Sequence, residues 1–333
     1  MLDIRQFGAV PDGKTLNTRA IQEAIDTCSR DRHSGVLIQA GIYLTGTLYL
    51  KDYVTLHVAN GDGLDFDGCR DVRVSNCLFD TSDDSICLQT SRPDAPCCNV
   101  TISNCIFSSK WAGIRIGLLS RGAFENVAVN NCIFRDIDDS GIKIQMCEGA
   151  DMRNMIFSNL IMVNVPRPVF LTLCRQRACV DAPEQLAPVG SIRGLVFSNI
   201  TADSRMCGKD SALVFVGHPD HAVQDIVLDH IRLQTGGGWT WAANPEKLAD
   251  LDPDRLAGWW PEYECFKTTV PCHGIYAEHI AGLTVTNSVL ETAAPDNRPA
   301  IACHHVTHAH FHNVTSLGGI SATIHMNGQP ALQ

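Results

Sequence analysis

The sequence predicts an all-β chain: one right-handed parallel β-helix, a single domain over residues 1–333, closed at its start by a capping helix. Two interleaved repeats and the composition carry that prediction. Val74-Ser-Asn-Cys-Leu-Phe79 returns as Ile102-Ser-Asn-Cys-Ile-Phe107 and Val129-Asn-Asn-Cys-Ile-Phe134, then more loosely as Phe157-Ser-Asn-Leu-Ile-Met162 and Phe197-Ser-Asn-Ile-Thr-Ala202. Asn76, Asn104, Asn131 and Asn159 stand 28, 27 and 28 residues apart. Between them runs a second phrase: Gly63-Leu-Asp-Phe, Ser85-Ile-Cys-Leu, Gly113-Ile-Arg-Ile and Gly141-Ile-Lys-Ile. It alternates as a strand with one buried face does. A fixed period of this length marks a solenoid, whose coils bury their apolar faces only against neighbouring coils. Hydrophobic residues at 45% and charged residues at 19% supply a core and argue against disorder.

Each element follows from that plan. A terminal coil exposes apolar surface and unpaired backbone, so the chain needs a lid. Residues 17–30 place Ala20, Ile21, Ala24, Ile25 and Cys28 on one helical face, with Asn17 or Thr18 as the N-cap. In the coils, Cys77, Cys105 and Cys132 fall at equivalent positions and read as small buried hydrophobes. The repeated asparagines are expected to stack at a bend as a side-chain amide ladder. Two insertions, 175–190 and 236–272, break the period. The second carries Trp239, Trp241, Trp259 and Trp260, which would either stack on sugar rings or pack over the helix flank. His308, His310 and His312 alternate with Ala309 and Phe311, a pattern that a strand's solvent face explains better than a metal site.

Charge and composition exclude several partners. Acidic residues outnumber basic ones, 36 to 26, so there is no nucleic-acid footprint and no attraction to an anionic membrane. No apolar run approaches the ~20 residues needed to span a bilayer. The chain opens Met1-Leu2-Asp3-Ile4-Arg5 without a signal-peptide pattern. With an odd count of 15 cysteines, this favours a reduced, cytoplasmic protein; a mature secreted form is the other reading. The pairs Cys174/Cys179 and Cys265/Cys272 are spaced so that they could bridge. Oligomeric state leaves no mark on the sequence.

Counting columns points to a site. If Gly63, Ser85, Gly113 and Gly141 are equivalent, the outward column two places on reads Asp65, Cys87, Arg115, Lys143, and the next reads Asp67, Gln89, Gly117, Gln145. One place upstream stand Asp62, Asp84, Ala112 and Ser140, with Asp83 beside Asp84. Rungs lie ~4.8 Å apart, so Asp62, Asp83 and Asp84 should form a carboxylate cluster. Like charges at that distance raise at least one pKa, giving a proton donor beside ionised bases, as glycoside hydrolysis requires.

Asn60-Gly-Asp-Gly-Leu-Asp65 resembles the Asn-Thr-Asp-Gly-Ile-Asp motif of the polygalacturonase family of glycoside hydrolases, and Thr81-Ser-Asp-Asp-Ser-Ile86 resembles its Thr-Gly-Asp-Asp-Cys-Ile motif. Phe7-Gly-Ala-Val-Pro-Asp-Gly13 is similar to the family's N-terminal cap. The resemblance implies that Asp83 is the general acid and that Asp62 and Asp84 activate water from the opposite face, with inversion and without metal or organic cofactor. It places Arg115, Lys143, Asn60, Asp65, Gln145 and Trp111 on the substrate, a pectin-type poly- or oligosaccharide containing galacturonate or rhamnogalacturonan. Three departures stand out. The family's Gly-His-Gly falls on Trp111-Ala112-Gly113, and its Arg-Ile-Lys falls on Lys143-Ile144-Gln145. Only Ala59 separates Val54-Thr-Leu-His-Val58 from the first aspartate motif, where the family has several further coils. They suggest a different sugar at the cleavage point and a shortened groove. Two alternatives stay open: a polysaccharide lyase or epimerase using Arg115 or Lys143 as base, with the aspartates holding calcium, and a carbohydrate-binding β-helix without turnover.

Overall fold

The computed structural model describes residues 1–33, 35–58, 61–175, 188–208, 210–239, 270–319 and 323–331. Its strands stack as the repeats align them. Val74 pairs with Ile102, Ile102 with Val129, and the same rank continues through Phe157, Phe197, Leu228, Val285 and Phe311. Among the described residues the pairing is parallel, save the terminal hairpin of Ile324–Met326 with Gln329–Pro330 and the His218–His221 bridge. The fold is a parallel β-helix in which an 18-stranded sheet begins at Leu64.

The interior follows from the inward half of each strand. Phe79, Phe107 and Phe134 stack with ring centroids 5.1 and 4.8 Å apart, and Phe157 stacks on Phe197 at 4.9 Å. Cys77, Cys105 and Cys132 are buried beside them, and all described cysteines are free thiols. Cys179 and Cys265, the partners that would make bridges to Cys174 and Cys272, lie outside the described residues.

The asparagines do two jobs. Asn76, Asn104, Asn131, Asn159 and Asn199 all turn the chain at φ between 52 and 58°, the left-handed region that asparagine tolerates better than most residues. Their amides then ladder along the axis: Asn159 Nδ2 donates to Asn131 Oδ1 at 3.2 Å, and Asn199 Nδ2 to Asn159 Oδ1 at 2.7 Å. A second ladder, not picked out from the repeat, runs along another bend. There Asn99 donates to Asp71 (3.0 Å), Asn126 to Asn99 (3.0 Å) and Asn154 to Asn126 (3.2 Å).

At the start, the helix Thr18–Asp31 buries Ala20, Ile21, Ala24, Ile25 and Cys28, the face that the periodicity selects. Asn17 occupies the cap position, but its side chain does not cap the helix. It accepts the Val10 N–H (2.6 Å) and donates to the Thr15 carbonyl (2.7 Å), tying down the preceding loop instead. The N-terminal part forms a separate three-stranded parallel sheet of Leu2–Asp3, Val36–Ile38 and Leu56–Val58. Its apolar cluster meets the main core through Leu50, which packs against both. Most of the two insertions, with Trp241, Trp259 and Trp260, lies outside the described residues. Trp239 is described and buried. His308, His310 and His312 are exposed, whereas His304 is buried. Among the described residues, no helix is long and apolar enough to cross a membrane.

Candidate active site

One outer sheet face carries the chemistry. Its strands Leu64–Asp67, Ile86–Thr90, Ala112–Ser120, Ser140–Met146 and Arg167–Leu173 pair so that Asp65, Cys87, Arg115, Lys143 and Phe170 form one continuous outward column. Asp62 and Asp84 stand just ahead of their strands. The Gly63 N–H donates to the Asp84 carbonyl (2.8 Å) and the Gly61 N–H to Ser82 Oγ (2.7 Å), which locks the two aspartate turns together. Gly63 permits that approach, because a Cβ there would lie 2.1 Å from the Ser85 carbonyl oxygen.

Asp84 is fully buried. Its carboxylate accepts the Ala112 N–H (2.9 Å) and pairs with Arg115 Nη1 at 2.9 Å, while Arg115 Nη2 lies 3.9 Å from Asp62 Oδ2. Two carboxylates therefore share one guanidinium. Burial pushes Asp84 up to about 6, against the pull of Arg115 and Lys143. Burial and the nearby Asp65 push Asp62 up to about 7, although Arg115 opposes them. Asp62 and Asp84 therefore hold a proton at pH values where an ordinary carboxyl has lost it. Cys87 lies close to both, and its thiol is raised well above the usual range, chiefly by burial.

Asp83 differs from its neighbour: it is exposed. Its carboxylate accepts the Asp84 N–H (2.9 Å), and its carbonyl accepts Thr81 Oγ1 (2.7 Å) and Ser109 Oγ (2.6 Å). Ser109 Oγ in turn accepts the Trp111 N–H at 2.9 Å. One serine thus ties the Asp83 turn to the Trp111 turn on the next rung. Trp111 is 39% exposed, and its carbonyl is held by the N–H groups of Asp139 (3.0 Å) and Ser140 (3.3 Å).

Lys143 does not lie where a substrate-binding residue is expected. It is wholly buried, its ammonium 2.7 Å from Asp139 Oδ2 and 4.9 Å from the centroid of the Trp111 ring. Arg167 pairs with the other oxygen of Asp139 at 2.8 Å. Although burial works against ionisation, Lys143 and Arg167 hold the Asp139 carboxyl below its ordinary value. The Asp139–Arg167 pair escaped sequence reading; continuing the Asp83 column through Trp111 to the next rung arrives at Asp139. Gln145 is also fully buried, two residues beyond Lys143 and in register with Gly117 and Thr172. Asp65 is exposed beside the cluster, and Asn60 lies outside the described residues. The structure thus brings together Asp62, Asp84 and Arg115 directly, and Asp83, Asp65 and Trp111 around them.

Asp62, Asp84 and Cys87 place ligand atoms within 4.8 Å of one another, the sole such grouping of three potential ligands among the described residues. Arg115 sits on the same carboxylates. Arg115 is shared between the two carboxylates and offsets part of their charge, and a metal ion would compete with it there.

This geometry can be set against known proteins. The chain is 44% identical over 61 residues to an exo-poly-α-D-galacturonosidase of Dickeya chrysanthemi, covering 18% of this chain and 10% of that one. It is 28% identical over 153 residues to a probable polygalacturonase of Arabidopsis thaliana, covering 44% and 32%. It therefore spans a third or less of the length of these curated relatives. Among solved structures, an exopolygalacturonase of Thermotoga maritima aligns with a TM-score of 0.43 at 14% identity, over 70% of this chain and 87% of that one. A family 28 exopolygalacturonase of Yersinia enterocolitica aligns at 0.39 and 12%, over 99% and 79%. A family model, glycosyl hydrolases family 28, matches residues 25–249, a stretch that holds the whole carboxylate cluster and more than half of the sequence. The chain belongs to glycosyl hydrolases family 28.

Proposed function

We propose that this protein hydrolyses a glycosidic bond in a pectin-type glycan, one containing galacturonate or rhamnogalacturonan, with inversion at the anomeric carbon. The observation that carries this reading is the division of labour among three adjacent aspartates. Asp62 and Asp84 are clasped by one guanidinium, which favours their ionised, proton-accepting form against the effect of burial, while Asp83, beside Asp84 in the same turn, is exposed. In the proposed step Asp83 gives its proton to the glycosidic oxygen, which leaves with the bonding electrons. Water held by Asp62 and Asp84 attacks the anomeric carbon from the opposite face, and its proton passes to whichever of the two is ionised, a step open at pH values above about 6, where Asp84 has lost its proton. Inversion requires room for this water, with acid and base carboxyls ~6.5–9.5 Å apart across the bond.

Proton abstraction by Arg115, the step a lyase or epimerase would need, is disfavoured by its surroundings. Burial alone would lower its pKa, but Cys87, Asp84, Asp62 and Asp65 together more than offset this and hold the guanidinium protonated. Lys143 is committed to Asp139 below the surface.

The test is a product screen of wild type and Asp83→Asn on homogalacturonan, rhamnogalacturonan and their oligosaccharides, reading reducing ends together with ultraviolet absorbance. The hydrolase reading expects new reducing ends without absorbance, falling 10²–10⁴-fold in the variant, roughly the contribution of a general acid. Absorbance from an unsaturated uronate would move the protein to the lyases. Binding without turnover would leave a carbohydrate-binding helix, and full activity in Asp83→Asn would remove that residue from its role.

A further inference from the structure

We propose that the sugar ring at the cleavage position is an uncharged pyranose seated on Trp111, and that the protein selects it over a uronate. This rests on the hydrolase reading of the same site and names what that site accepts.

Charge comes first. A uronate ring beside Asp83 would bring a carboxylate up to Asp62, Asp65, Asp83 and Asp84. Among the described residues, the cations that act on the buried part of this cluster are Arg115 and Lys143. Neither has charge to spare: Arg115 is divided between Asp84 and Asp62, and Lys143 is buried on Asp139. The exposed Lys110, next in sequence to Trp111, is paired with Asp138 at 3.4 Å. A further carboxylate would thus meet net negative charge, which disfavours it most at low salt.

The aromatic ring supplies the positive half of the argument. Counting back from the paired Ile86 and Ile114, Trp111 stands one rung beyond Asp83 in the same column, ~4.8 Å along the axis. Ser109 bridges the two turns, so the ring's backbone and the Asp83 turn move as a unit. The Lys143 ammonium lies over the ring. With 39% of the residue accessible, Trp111 is one of the exposed large hydrophobic residues, one rung from the exposed Asp83. The C–H face of a neutral pyranose fits such a surface without placing charge near the aspartates.

The test titrates full-length Asp83→Asn calorimetrically, at pH 8 and low salt, with two α-1,4-linked trimers. One is trigalacturonate, and the other is the same trimer with its carboxylates reduced to primary alcohols. The reduced trimer is expected to bind at least about tenfold more tightly. Adding Trp111→Ala should weaken its binding about tenfold or more, while Trp111→Phe retains most of it. Equal or tighter binding of trigalacturonate overturns the proposal, as does an unchanged affinity in Trp111→Ala or failure of both trimers to bind. Turnover by wild type is read separately: tight, Trp111-dependent binding of the reduced trimer with no cleavage would sink the hydrolase reading while leaving the seat in place.

Discussion

One column of one sheet changes character along its length. In the early coils it reads Asp65, Cys87, Arg115 and Lys143; further on it reads Phe170, Val214, Tyr276 and Ala302. The later residues form a buried apolar cluster with Val270 and Cys272, from the end of the long insertion. Of the early residues, Arg115 and Lys143 bury charge instead, against Asp84 and Asp139. Backbone pairing is the same in both regions, so the ladder is indifferent to what projects outward. What differs is the cost of an error: a buried charge needs its partner, whereas a buried hydrophobe needs only volume.

The largest expected effect breaks the charged half. Asp139→Ala removes the buried carboxylate that Lys143 and Arg167 share, and stability to urea should fall by about 3–5 kcal/mol. A loss below about 1 kcal/mol would mean the triad is solvated rather than buried.

Titration gives the next effect. Asp62 and Asp84 have folded pKa values of about 7 and about 6, above the ~3.9 of an unfolded aspartate. Between those limits the folded state binds more protons, so stability should decline as pH rises from about 4 to about 7. Asp62→Asn should flatten much of that decline in a series of unfolding curves. Phe170→Ala should leave the pH dependence unchanged, because no carboxyl or imidazole stands in the apolar half of the column.

Smaller still is Phe170→Leu, which keeps an apolar side chain in the column and should cost less than about 1.5 kcal/mol. The smallest effect probes what the two regions share. Asn159→Ala and Asn287→Ala each remove a ladder amide at a left-handed bend, one near the charged half and one in the later coils. Each should lower the unfolding free energy by about 1 kcal/mol, and by similar amounts. Clearly unequal losses would show that the scaffold is not uniform.

Much of this was legible in the sequence, for physical reasons. Neighbouring coils must bury the same face, so the Asn-Cys-aliphatic-Phe phrase recurs and fixes the register of Val74, Ile102 and Val129. With that register, counting alone places Asp65, Cys87, Arg115 and Lys143 in one column. The bends were harder. The second ladder of Asp71, Asn99, Asn126 and Asn154 carries no flanking phrase as regular as the first.

Period and pattern therefore determined the solenoid, its interior and the ranks in which residues stack. Tertiary structure decided which outward side chains remain outward. Lys143 and Gln145 occupy outward positions by count yet are fully buried, while Asp83 is exposed and its neighbour Asp84 is sealed. A strand's alternation specifies only inside and outside, and burial on the outer face depends on turns and distant segments packed over it. Whether a charge there meets substrate or a partner is settled by three-dimensional neighbours such as Asp139 and Arg167, which alternation along a single strand does not encode.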